Sequence, residues 1–247
     1  MAYLSALVRL VFVDIRLLYI IASLIVSGVI YLVVSTKHSA DIAELSALLY
    51  LYLPLSLFVL EQSWVEPVIL MIMYLAAAAA VFKMSTLLPI LLGLLFATKQ
   101  TTWLLVPFLP QLKQYSLKSL SITVGVFVAV VAPFLLWNYG AFVYDVVIDV
   151  AGLRYGFSDL SLNSVVQQYF LLPVAAAVTV TALGLLLLKL IRLRLGVRTF
   201  FYSATIFMLT FFLLVRGFAN YYHFISGMIV LLITLELIAH SDEATDS

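Results

Sequence analysis

Seven mainly apolar segments of near-spanning length recur along this chain: Leu17–Val34, Ile42–Leu60, Pro67–Phe82, Leu120–Trp137, Tyr169–Leu188, Thr199–Val215 and Tyr221–Ala239. A helix needs about 20 predominantly apolar residues to cross the ~30 Å hydrocarbon core of a bilayer. Inside that core every peptide group must be satisfied by the chain itself, which leaves helices and closed barrels as the spanning structures. The chain is 65% hydrophobic and 10% charged, with a mean hydropathy of +1.20, well beyond the roughly 45–50% apolar content of a soluble domain. These features predict an all-α polytopic transmembrane bundle, one domain over residues 1–247, with eight or nine crossings, integral to the cell membrane.

Several chemistries are excluded at this level. There is no cysteine, so disulfides, thiolate metal centres and cysteine nucleophiles are ruled out. A net charge of +1 gives no reason to expect a nucleic acid partner. The start, MAYLSALVRLVFVDIR, lacks the basic n-region and small-residue cleavage site of a signal peptide, and Arg9 interrupts its apolar run. Residues 1–16 therefore read as an interfacial or partial helix. The small-residue run Ala76–Ala80 reads as a helix-packing face. Oligomeric state leaves no trace in the pattern.

One charge stands out against the apolar background. Lys99 is the only charged residue in Thr86–Pro110, and an ammonium at the centre of a crossing costs roughly 2.5–3.5 kcal/mol on insertion scales. Such a charge is kept where water, a protein anion or an anionic ligand meets it. Either the stretch is one continuous crossing, or it breaks near Lys99 into two short helices, as discontinuous helices do where they line a polar site.

The basic cluster KLIRLRLGVR, with Lys189, Arg192, Arg194 and Arg198, marks a cytoplasmic connection by the positive-inside rule. The loop 138–168 then lies outside, and the tail at 240–247 is cytoplasmic. Upstream of Lys99 the parity depends on whether the helix breaks. The broken version is favoured because it moves Lys99, the connection EQSWVE from Glu61 to Glu66, the outer loop and the segment RGFANYYH to one non-cytoplasmic face.

The candidate site residues fall in four groups. Glu61 and Glu66 flank Trp64, and either carboxylate can act as a base, bind a cation or hold an arginine; equally, Glu66 complements the dipole of the helix that Pro67 opens, and Trp64 anchors at the interface. Lys99 with Gln100, Thr101, Thr102 and Trp103 suits a phosphate group, or Lys99 pairs with a carboxylate such as Glu61. In the outer loop, Phe142, Tyr144, Val147 and Ile148 form an amphipathic pattern, and Arg154 suits a phosphate or a sugar. Asp145 and Asp149 share a face; a divalent cation there is one reading and a solvated face the other, and no metal site is assigned. Finally, Arg216 binds phosphate bidentately, His223 transfers protons near neutrality, and Tyr221 and Tyr222 stack on sugars, unless the segment is an aromatic belt with a snorkelled arginine.

The order WVEP, then GLLFATKQTTWLLVPFL, then PFLLWNYGAFVYDVV before a long loop, then RGFANYYHF resembles the polytopic GT-C glycosyltransferases. Within them it is most similar to the mannosyltransferase-like branch that uses polyprenyl-phosphate sugars. The likeness runs from about Glu61 to His223. It implies inverting transfer of a sugar such as mannose from a polyprenyl-phosphate donor to a glycan, lipid or protein acceptor on the non-cytoplasmic face. In that family the base is a carboxylate in the first outer loop. Here the first long hydrophobic segment has only Asp14 before it and Asp41 after it, so the chain corresponds to the later part of the pattern, an incomplete or non-catalytic version whose transferase activity is expected once the missing N-terminal part is supplied.

Under the resemblance, Lys99, Arg154 and Arg216 neutralise the lipid phosphate; Glu61, Glu66 or His223 orients the acceptor hydroxyl or takes its proton; and Trp64, Gln100, Tyr221 and Tyr222 bound the sugar. Two other classes stay open. A secondary transporter or permease component would use Lys99 and Glu61 as a midplane site, though no internal repeat supports it. A non-catalytic membrane subunit would explain the absent acidic loop.

Overall fold

The computed structural model describes residues 14–113, 115–148, 161–162, 172–215 and 217–245. Among them there is no strand. The helices are α1 (Arg16–Ser35), α2 (Ala40–Leu51), α3 (Ser56–Glu61), α4 (Glu66–Val81), α5 (Leu87–Thr98), α6 (Leu117–Trp137), α7 (Tyr139–Val143), α8 (Leu172–Leu190), α9 (Val197–Leu214) and α10 (Ala219–Thr245). A 3-10 helix spans Gln100–Gln111, and one π-helical turn, Tyr144–Ile148, follows α7. On length and composition four helices can span a bilayer, namely α1, α6, α9 and the Ala219–Ala239 part of α10; α4, α5 and Ala177–Leu190 are shorter apolar helices. This is a coarser result than the eight or nine crossings suggested by the apolar segments.

One expectation needs revising. Ile42–Leu60 is not one helix: α2 ends at Leu51 and α3 starts at Ser56. Pro54 has no N–H to continue the ladder, and Leu55 turns the chain with φ 70°. The tail expected at 240–247 is helical as far as Thr245, as the end of α10, which leaves that expectation as it stood. The N-terminal reading of residues 1–16 falls largely outside the described residues.

Short connections are closed by the backbone itself. At the end of α3, Ser63 adopts φ 55°, and the Trp64 N–H donates to the Val59 carbonyl at 3.1 Å. At the end of α4, Lys83 does the same with φ 55°, and the Met84 N–H reaches the Ala79 carbonyl at 2.8 Å. Both are Schellman closures, which satisfy carbonyls that a helix end otherwise leaves orphaned.

The core is built around α4, which packs against α1, α5, α9 and α10. Ile69, Leu70, Met73 and Tyr74 are buried, as are Ala76, Ala77, Ala79 and Ala80, so the small-residue run is a packing face. The Tyr74 hydroxyl donates to the Gly227 carbonyl of α10 at 2.8 Å. Leu24, Leu32, Leu45, Val180 and Leu185 are exposed on the outer faces, an arrangement that fits hydrocarbon surroundings.

Contacts sort the connections to two ends. At one end, His38 Nε2 lies 2.8 Å from the Leu237 carbonyl, the Gln111 amide donates to the Leu190 carbonyl at 2.7 Å, the Gly196 N–H donates to the Gln111 carbonyl at 2.8 Å, and Arg198 pairs with Glu236 at 3.3 Å. The basic cluster around Lys189–Arg198 is at this end. Glu66, Lys99 and Asn220 meet at the other. Consequently α5 and the 3-10 helix form a hairpin that leaves the basic end, turns at Lys99 and returns.

Candidate functional site

Lys99 stands where α5 stops, in extended conformation with φ −153° and ψ 139°. Pro107 and Pro110 lie in the next segment, where an α-helix would clash with the carbonyls of Trp103 and Val106, so the return segment does not continue as an α-helix. The freed carbonyls are then taken by nearby side chains. Thr98 Oγ1 donates to the Leu95 carbonyl at 2.6 Å, Thr102 Oγ1 lies 3.0 Å from that same carbonyl and 2.7 Å from that of Lys99, and Trp103 Nε1 donates to the Phe96 carbonyl at 2.8 Å. Thr102 and Trp103, which read as ligand-facing polar groups in the sequence, therefore stabilise the break.

Glu66 opens α4, where the helix dipole favours a carboxylate, and it is 1% exposed. Its Oε1 receives both the Lys99 ammonium and the Asn220 side-chain amide, the latter at 2.7 Å. Its Oε2 has no hydrogen-bond partner. Lys99 Nζ also lies 4.7 Å from the centroid of the Tyr221 ring, a cation–π contact, and Tyr221 stacks on Phe212 at 4.4 Å with ring planes 2° apart. The Lys99 side chain is 19% exposed. Burying a carboxylate costs several kcal/mol unless it is paired, and this pairing is the physical reason the chain tolerates both charges. One carboxylate oxygen is thus doubly held while the other keeps its acceptor capacity in a buried setting.

The other sequence candidates are placed as follows. Glu61 is exposed at the end of α3 and close enough to Arg16 to interact electrostatically; the partner of Lys99 is Glu66. Trp64 packs edge-on against Phe58 at 5.4 Å. The Gln100 amide points to the Val146 carbonyl at 3.5 Å, tying the break to the π-helical turn. His223, 3% exposed, faces the Pro54 backbone and feels the Glu66 charge; its Nδ1 makes no hydrogen bond. Tyr222 is partly buried, and its carbonyl accepts from Ser226 Oγ at 2.8 Å. Arg154, Arg216 and Asp149 lie outside the described residues, and no cluster of three metal-ligating side chains exists among the described ones.

Beside this cluster is a cavity of about 580 Å³ between α1, the α2–α3 turn, α3, α4 and α10, lined among others by Leu24, Tyr50, Leu57, Phe58, Pro67 and His223. Sequence reasoning missed Asn220, although it sits directly before the two tyrosines that were noted; an amide at the start of a helix looks like a cap until its partner is known. No family model, curated protein or solved structure matches this chain.

Proposed function

We propose that the chain is a membrane glycosyltransferase-like protein that acts on a polyprenyl-phosphate sugar at the non-cytoplasmic end of its bundle. The observation that carries this reading is the buried Glu66 carboxylate, held through Oε1 by Lys99 and Asn220 with Oε2 left without a partner, at the end opposite the basic loops and beside a largely apolar cavity. The positive-inside rule assigns the basic end to the cytoplasm. Lys99 and, from the loops, Arg154 and Arg216 would neutralise the lipid phosphate as charge builds on it. Glu66 Oε2 would accept the proton of, or orient, an acceptor hydroxyl, a role for which buried Glu66 is better placed than exposed Glu61. Trp64 would bound the sugar, whereas the Tyr221 ring, expected to stack on it, is buried against Phe212 and Lys99.

Incorporation of label from a polyprenyl-phosphate hexose into an extractable product, in proteoliposomes of the full chain, tests this. Glu66→Gln keeps the shape and both donors to Oε1 while removing the base, and should lower turnover by about 10² or more. Unchanged turnover would sink the assignment. The buried ion pair at a helix break also suits a permease component; solute uptake without label transfer would favour that second reading.

A further inference from the structure

The cavity beside Glu66 carries its own chemistry. Lysine, arginine, aspartate and glutamate are absent from its lining. Its walls are leucines, Ile20, Phe58 and Pro67, and its polar groups are neutral: Ser23, Ser56, the tyrosine hydroxyls and the His223 ring. One of these leaves a buried atom without a partner, His223 Nδ1, in a residue 3% exposed; the Tyr50 hydroxyl has the Ser23 side chain beside it. A buried polar atom without a partner costs about 1–3 kcal/mol, so the imidazole nitrogen calls for a ligand that brings hydrogen-bonding capacity. The volume, about 580 Å³, lies within the ~300–1,000 Å³ of small-molecule pockets. The rim is apolar and open, with Leu24 on α1 and Leu57 on α3 56% and 83% exposed, which gives a hydrocarbon chain a lateral entrance.

We infer that this cavity binds a lipid alcohol: one apolar chain ending in an uncharged hydroxyl that bonds His223 Nδ1. A hydroxyl both donates and accepts, so it satisfies Nδ1 in either tautomer. A phosphate or carboxylate headgroup would lose its hydration with no cation in the lining to replace it. Under the transferase reading, on which this further role rests, the lipid alcohol is the sugar acceptor.

Photocrosslinking tests the site without any transfer assay. The full chain in phosphatidylcholine nanodiscs is exposed to a long-chain isoprenoid alcohol with a diazirine near the hydroxyl, to its phosphate monoester and to the matching hydrocarbon. The alcohol should label residues of 50–60, and should do so about fivefold better than either analogue, the worth of one net hydrogen bond. Leu24→Trp, on an exposed and lipid-facing position, should block the entrance and suppress labelling about tenfold. His223→Leu should erase the preference for alcohol over hydrocarbon, and His223→Gln should restore part of it; should His223→Leu fail to fold, the Leu24→Trp and analogue comparisons still decide. Equal labelling by alcohol and hydrocarbon, preferred labelling by the phosphate, or indifference to Leu24→Trp would each overturn the site. Alcohol binding with no sugar transfer to any acceptor would leave the cavity standing and remove the transferase reading, whereas transfer to acceptors other than the bound alcohol would remove only the acceptor role.

Discussion

At the scale of single residues, the pairing of Lys99 with Glu66 changes what its removal means. Lys99→Ala leaves a carboxylate that is 1% exposed with only Asn220 on Oε1. Breaking a buried pair from one side costs about 3 kcal/mol or more, whereas replacing both partners by apolar groups of similar volume is often neutral. Lys99→Ala should therefore lower the unfolding free energy in detergent by about that amount, and Lys99→Met with Glu66→Leu should recover most of it. A double-mutant cycle by denaturant or thermal unfolding reads the coupling; additive losses would mean that the two charges do not sense each other. Asn220→Ala removes a hydrogen bond to a charged group and should cost about 1–3 kcal/mol in the same assay.

At the scale of elements, two glycines set how closely helices approach. A Cβ on Gly93 of α5 would lie 2.6 Å from the Thr123 carbonyl oxygen, which belongs to the backbone of α6. A Cβ on Gly227 of α10 would lie 2.6 Å from the Leu70 side chain, which can change rotamer. Overpacking of this kind costs about 1–3 kcal/mol. Gly93→Ala should fall at the upper end of that range and resist rescue. Gly227→Ala should cost less, and Leu70→Val should restore part of the loss. Melting temperatures of the purified variants check the order; equal losses with no rescue would contradict it. The broken hairpin belongs to this scale too. As a 12-residue helix, α5 is about 18 Å long, shorter than the ~30 Å hydrocarbon core.

At the scale of the whole molecule, the division of the connections between two ends yields a topology experiment. The chain has no cysteine, so single-cysteine variants need no prior engineering. Ser63→Cys sits between α3 and α4 at the Glu66 end, and Arg192→Cys sits in the basic connection between α8 and α9. An impermeant thiol reagent should label position 63 only from the non-cytoplasmic side and position 192 only from the cytoplasmic side. Labelling of both from one side would contradict the two-ended arrangement. The same separation places Lys37 and Lys83 with the basic cluster: His38 meets Leu237, and α4 carries the chain from Glu66 back to that end.

Much of this was legible before any coordinates. Helical class and membrane setting follow from runs of apolar residues, because only satisfied backbone is stable in hydrocarbon. The importance of Lys99 follows from the cost of a lone charge in such a run, and the packing role of Ala76–Ala80 from side-chain size. Other features are invisible in one dimension. Pro54 inside Ile42–Leu60 is a local signal for the break, one that apolar run length by itself does not register. That Glu66 rather than Glu61 meets Lys99, that Asn220 shares the same oxygen, and that His223 lines a cavity with Tyr50 all depend on helices distant in sequence converging at one end. Local chemistry determined which residues needed partners; only the packing of α4 against α5 and α10 decided who those partners are, since a buried charge takes whichever complement the tertiary fold brings within reach.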